Sequence, residues 1–221
     1  MPIPSTPPRY RTLTAAASLI VGPLVMAIGD LLHPNESMAP AEQIAILVDH
    51  ASRWYMAHLL LFIGLMLFIP GLLALVALTE ARRPALGYGA RILVLVGAAA
   101  VASIFVAEML LGRYVLDGAD PAAATNLLES MFSAPIAAAV GPAMLAFFAG
   151  TAVFAFSLMR SGGRAGGAAA IILLGALLIL VEIFTAQVIL SQIGNILIFA
   201  GSATVAGTIL RGRAAPESGA A

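Results

Sequence analysis

Long apolar stretches alternate with short polar ones along the whole chain. A helix that crosses the hydrocarbon layer of a bilayer, about 30 Å thick, needs about 20 mostly apolar residues. Six stretches meet this requirement, at residues 13–32, 54–79, 91–112, 135–159, 167–189 and 193–210. The pattern therefore predicts an all-α, polytopic transmembrane bundle in which a six-span domain over 13–210 lies between tails at 1–12 and 211–221.

The boundary between the fifth and sixth spans has the weakest signal. Its only polar residues are Gln187, Ser191, Gln192 and Asn195, with Gly194 among them. Because glycine and polar residues favour turns over apolar helix, the sequence predicts the turn within this segment.

Two shorter segments show apolar residues at the i, i+3, i+4, i+7 spacing of an amphipathic helix. The positions are Ile44, Leu47, Val48 and Ala51 after Pro40, and Ala124, Leu127, Leu128 and Met131 after Pro121. Asp120 followed by Pro121 is a typical helix start. We expect both helices to lie along the outer surface, with their apolar faces against the bundle or the lipid headgroups.

The arginines predict the orientation of the spans. Nine of the eleven fall in the terminal tails or in the loops after spans two and four, and only Arg53 and Arg113 fall on the opposite side. Short loops rich in arginine stay in the cytoplasm. Both termini are therefore predicted to be cytoplasmic.

Composition supports a membrane location and limits the partners. The chain is 61% hydrophobic and 10% charged, whereas soluble domains carry about 25% charged residues, so the lipid bilayer is the predicted surroundings. The net charge of zero gives no reason to expect a nucleic-acid partner. The absence of cysteine excludes disulfides and thiolate metal sites. All eleven basic residues are arginine, which is typical of a GC-rich bacterial genome and predicts a bacterial plasma membrane.

A polar layer is predicted in the outer half of the bundle. Glu182, Glu108 and His58 fall roughly 5–12 Å below the outer boundary at 1.5 Å per helical residue, and Asp30 and Asn195 can join them. A carboxylate within a span is costly and tends to face the bundle interior. The functional hypothesis is an outward-facing pocket for a small ligand, an ion or a proton. The structural alternative is a set of neutral acids that hydrogen-bond neighbouring helices near the span ends.

Histidines raise a second hypothesis, a haem or metal site. Haem held by two histidines needs axial ligands from facing helices, and His33 with His58 is the pair that such a site would use. No HxxxH or HxxE spacing occurs. Structural or pH-responsive histidines are the competing interpretation.

No stretch matches a nucleotide-binding loop, a zinc-protease motif or a serine-hydrolase elbow, which favours a non-enzymatic role. The leading prediction is a transport-like or sensor-like protein that binds a small ligand, ion or proton. An accessory subunit that packs against a partner protein or another copy is the first alternative, since Gly194, Gly201 and Thr208 form a stripe that permits close helix approach. A haem- or metal-dependent redox protein is the second.

Overall fold

The computed structural model describes residues 9–131, 133–160 and 162–214. The distal parts of the two predicted tails, residues 1–8 and 215–221, lie outside these ranges. The described residues form seven helices and no strand. In chain order the helices are α1 (Arg9–Leu32), α2 (Pro40–Arg82), α3 (Pro84–Leu116), α4 (Pro121–Met131), α5 (Ala134–Met159), α6 (Gly163–Thr185) and α7 (Val188–Ala214). All except α4 are long and apolar enough to cross a membrane, which confirms the six-span fold.

The first predicted surface helix is the beginning of α2. At His50 the backbone leaves the helical region (φ −131°, ψ 26°), and this kink separates the surface segment from the span that follows. Ile44, Leu47 and Ala51 are buried beneath the surface segment, as the periodicity predicts, whereas Val48 is exposed.

The second predicted surface helix is α4. Asp120 caps it, because the carboxylate accepts a hydrogen bond from the backbone N–H of Ala123. Ala124 and Leu128 are buried against α2 and α3, in one cluster with Trp54 and Leu111.

The six spanning helices form a ring. Each packs against the spanning helix before and after it in the chain, and α7 packs against α1 to close the ring. One end carries α4, the α1–α2 connection at 33–39 and the α6–α7 turn, and we call it the arginine-poor end. The arginine-rich end carries the α2–α3 and α5–α6 turns, with Arg83 and Arg91 near the first turn and Arg160 and Arg164 near the second.

The turn between α6 and α7 comes earlier than the sequence predicts. Ala186 closes α6 in a left-handed conformation (φ 50°), and its N–H donates to the carbonyl oxygen of Glu182. A left-handed residue that ends a helix is usually glycine, so alanine gave no signal. Because α7 begins at Val188, Ser191 and Asn195 lie inside a helix and not in a loop.

The small-residue stripe on α7 is used within the chain. A Cβ atom on Gly194 would lie 2.7 Å from the carbonyl oxygen of Gly175, and one on Gly201 would lie 2.7 Å from that of Ala168. These contacts bring α6 and α7 together at a distance that only glycine allows. The stripe is therefore not a free surface for a partner.

Candidate functional site

The arginine-poor end gathers acidic and histidine side chains from different parts of the chain. Each predicted site residue lies at this end, and one more, Glu36, joins them. They are Asp30 of α1, His33 and Glu36 of the α1–α2 connection, His58 of α2, Glu108 of α3, Glu182 of α6 and Asn195 of α7. We refer to this set as the carboxyl–histidine cluster.

Asp30 connects α1 to α7. One carboxylate oxygen lies 3.3 Å from the Ser191 hydroxyl, which shares its single hydrogen with the Val188 carbonyl oxygen at 2.9 Å, and the other accepts from the Asn195 amide nitrogen at 3.1 Å. Gln192 donates to the backbone carbonyl oxygen of Asp30 at 3.2 Å. Because the turn lies at Ala186, these three α7 residues fall within the first two turns of the helix and face Asp30 together.

The carboxyl groups of Glu36 and Glu182 lie close enough to share a hydrogen bond. Such a bond requires a proton on one of the two groups, since two carboxylates can only accept. Glu36 also lies within electrostatic reach of Glu108 and Asp30. Four carboxyl groups from α1, its following connection, α3 and α6 therefore influence one another.

Sequence reasoning missed Glu36 because an acid in the segment Asn35–Ser37 resembles an ordinary solvated loop residue. Its side chain is only 27% exposed. A signal was present: the connection at 33–39 has seven residues, so its side chains must stay close to the end of α1.

Burial of Glu36 and the nearby charges of Glu182, Glu108 and Asp30 raise the pKa of Glu36 from 4.5 to about 9. Desolvation favours the neutral form of an acid, and neighbouring carboxylates act in the same direction. Glu36 is therefore protonated at neutral pH. This agrees with its hydrogen bond to Glu182.

The two cluster histidines have the same tautomer. Nδ1 of His33 lies 2.8 Å from the carbonyl oxygen of Pro34, and Nδ1 of His58 lies 3.0 Å from that of Trp54. A carbonyl only accepts, so each ring donates from Nδ1 and presents Nε2 as an acceptor. Nε2 of His33 lies 3.4 Å from a carboxyl oxygen of Glu36. Burial lowers the pKa of His33 to about 4, so the ring is neutral at physiological pH.

An aromatic wall holds the histidines in place. The ring centroids of His33, Trp54 and His58 lie 4.7–5.0 Å from one another. Trp54 also donates from its indole N–H to the backbone carbonyl oxygen of Glu108 at 3.2 Å. The wall therefore ties α2 to α3 and to the α1–α2 connection.

Glu108 is buried, and the indole of Trp54 lies within hydrogen-bond reach of its carboxyl group. The residue is 7% exposed, and its Oε2 atom has no hydrogen-bond partner among the described residues. No arginine in the described ranges lies within 4 Å of a carboxyl oxygen of the cluster; Arg53 instead donates to the backbone carbonyl oxygens of Leu32 and His33. Arg113, one helical turn beyond Glu108 on α3, forms its ion pair with Asp117.

The geometry gives no support to the haem or metal alternative. The rings of His33 and His58 touch edge to face, with centroids 4.8 Å apart, whereas a haem would separate its two axial histidines. Throughout residues 9–131, 133–160 and 162–214, no three His, Asp or Glu side chains are arranged to hold a metal ion. His50, the third histidine, is exposed at the kink of α2.

Comparisons with protein-family models, curated proteins and solved structures gave no match. The class of protein therefore rests on the fold alone. The chain is an integral membrane protein with six helices able to span the bilayer.

Proposed function

We propose that the carboxyl–histidine cluster binds a proton or a small cation from outside the cell, in a transport-like or sensor-like role. The observation that carries the proposal is the gathering of Asp30, Glu36, Glu108 and Glu182 without an arginine partner. Several buried carboxylates cannot all remain charged at close range. At least one must therefore hold a proton or face a cation.

The position of the cluster supports a change that depends on occupancy. Its members come from α1, α2, α3, α6 and α7, so gain or loss of a charge alters contacts among helices that are far apart in sequence. Charged groups within membrane spans commonly mark ion or proton pathways. A purely structural acid would need only one neighbouring partner.

The test is infrared difference spectroscopy of the purified full chain in lipid vesicles during a pH titration. We expect a carboxylic-acid carbonyl band that disappears at alkaline pH, with about half or more of its amplitude lost in Glu36→Gln and in Glu182→Gln. Glu129→Gln is the matched control, because Glu129 is an exposed acid on α4 at the same end. If both cluster variants keep the complete wild-type band, the proposal is wrong.

We also propose that the arginine-poor end faces outwards from a bacterial plasma membrane, with both termini in the cytoplasm. The distribution of arginines supports this orientation. Because the chain has no cysteine, single cysteines give a clean test. A membrane-impermeant thiol reagent added to intact cells is expected to label cysteine at Ser37 or Ala119, but not at Gly162. Labelling of the cysteine at position 162 alone would show that the chain has the opposite orientation.

A further inference from the structure

The side chain of Asp30 is buried among neutral partners. The residue is 5% exposed, and within the described ranges its carboxylate is bound by the hydroxyl of Ser191 and the amide of Asn195. The bond from the Ser191 hydroxyl, at 3.3 Å, is longer than the 2.5–2.7 Å that is typical of an O–H···O⁻ bond, and the bond from the Asn195 amide, at 3.1 Å, comes from an uncharged donor. No basic side chain in the described part of the chain forms an ion pair with Asp30. The carboxylate therefore lacks a counter-charge.

A second polar atom at the same place lacks a partner. Asn195 is 4% exposed, and its amide oxygen is buried without a hydrogen bond in the described ranges, although the amide nitrogen of the same group binds Asp30. Rotating the amide by half a turn would direct its oxygen towards Asp30. Two neighbouring oxygens would then face each other, which is favourable only if a cation or a proton on Asp30 lies between them.

The available atoms resemble the ligands of a hard cation. A carboxylate, a hydroxyl and an amide oxygen are oxygen ligands, which such ions prefer. One carboxylate supplies a single negative charge, and this suits a monovalent ion better than a divalent one. Half-helix ends and carboxylates hold Na⁺ or H⁺ in comparable ways in membrane transporters.

This site is electrostatically connected to the proton between Glu36 and Glu182. The charge of Asp30 acts on Glu36 and raises its pKa. A cation bound at Asp30 would neutralise that charge and so lower the affinity of Glu36 for its proton.

We propose that Asp30, Ser191 and Asn195 bind a small monovalent cation such as Na⁺, and that its binding releases the proton shared by Glu36 and Glu182. One positive charge enters the cluster and one leaves, so the net charge of the cluster is unchanged. The exchange rests on the proposed function, since it requires a titrating cluster. It adds the identity of the second ion and the place where that ion binds.

The charged and titratable groups around the proton come from every neighbouring element. Glu36 faces Asp30 of α1, His33 of its own connection, Glu108 of α3 and Glu182 of α6. From α2, His58 and Arg53 lie next to His33. The facing α7 residues Ser191, Gln192 and Asn195 are neutral. Asp30 is thus the acid whose surroundings can accept a cation without displacing an existing ion pair.

The experiment measures proton release by the full chain in lipid nanodiscs, in weakly buffered solution about one unit below the Glu36 pKa of about 9. Addition of NaCl is expected to release up to one proton per chain, as measured with a pH-sensitive dye, whereas choline chloride releases none. Asn195→Ala and Ser191→Ala should each require about tenfold more Na⁺, the effect of losing about 1.4 kcal/mol of binding free energy. Glu129→Gln should match the wild type.

Two further variants separate the cation from the proton. Asp30→Asn should abolish both Na⁺ binding, followed by calorimetry, and proton release. Glu182→Gln should keep Na⁺ binding and lose the proton release. If Asp30→Asn fails to fold, the two α7 variants decide the question.

Equal proton release by choline and Na⁺, or wild-type Na⁺ dependence in Asn195→Ala and Ser191→Ala, would overturn the cation site. The proposed function would survive that result if the infrared carboxyl band still titrated. If the infrared carboxyl band did not change with pH, the proposed function itself would be wrong.

Discussion

The two ends of the six-helix ring bury different kinds of side chains. Towards the arginine-rich end, the interior contains fully buried apolar residues such as Leu72, Leu75 and Ile172, together with neutral hydroxyls such as that of Thr79. The charged pair of Glu80 and Arg91 lies at the edge and is partly exposed. Towards the arginine-poor end, buried acids and histidines such as Asp30, Glu108 and His58 lie beside a second apolar cluster around Trp54 and Leu111.

The two ends therefore differ in the role of their buried side chains: apolar packing at one end, and ionisable groups at the other. Lipid is as apolar as leucine, so helices in a membrane associate through close packing and hydrogen bonds and gain little from hiding apolar surface. The arginine-rich half achieves such packing with glycines and interlocking side chains. The arginine-poor half instead buries carboxyl groups that have no arginine partner among the described side chains, and burying an unpaired charge is costly.

The largest expected effect tests the packed half. Leu72→Ala removes a side chain that is 1% exposed and leaves a cavity, so we expect the free energy of unfolding to fall by about 2–5 kcal/mol. Leu78→Ala is the matched control, because Leu78 lies on the same helix but is 43% exposed. Reversible unfolding in mixed micelles measures both variants.

Equal losses in Leu72→Ala and Leu78→Ala would mean that this half is not stabilised by internal packing. The comparison between the two ends would then fail, because both ends would be held together in some other way. If only Leu72→Ala loses stability, and the loss is the same at every pH, the contrast between the two ends is strengthened.

The fold was largely predictable because its strongest signals are local. Six apolar stretches, the arginine distribution and two amphipathic segments predicted the spans and the surface helices. The start of α7 was wrong because Ala186 adopts a conformation that its side chain does not favour. No local pattern could show that Ser191 and Asn195 belong to a helix that faces Asp30.

The candidate site was predictable only in part. Glu182, Glu108 and Asp30 were recognisable from the sequence because a carboxyl group is costly in an apolar span. Glu36 lies in a polar connection, where an acid is ordinary, and its importance comes from contact with Glu182, about 146 positions later in the chain. Contacts of this kind depend on how the ring closes, and they leave no mark in the local sequence.

The pH dependence of stability gives a smaller and more specific effect at the arginine-poor end. The pKa of Glu36 is about 9 in the folded protein and 4.5 in an exposed chain. The folded state therefore binds more protons between these values, and stability falls as the pH rises through this range. His33, with its pKa lowered from 6.5 to about 4, has the opposite effect: stability rises with pH between about 4 and 6.5.

Among these two groups, only Glu36 acts between about pH 6.5 and 9. We expect the wild type to lose stability across this window, with a slope of at most about 1.4 kcal/mol per pH unit for one proton. Glu36→Gln should have a clearly shallower profile, whereas Glu129→Gln should follow the wild type. Thermal unfolding followed by the fluorescence of Trp54, the single tryptophan and part of the aromatic wall, measures the effect where it arises. A wild-type slope in Glu36→Gln would show that its proton does not contribute to stability, and the contrast between the two ends would then have to rest on the other acids.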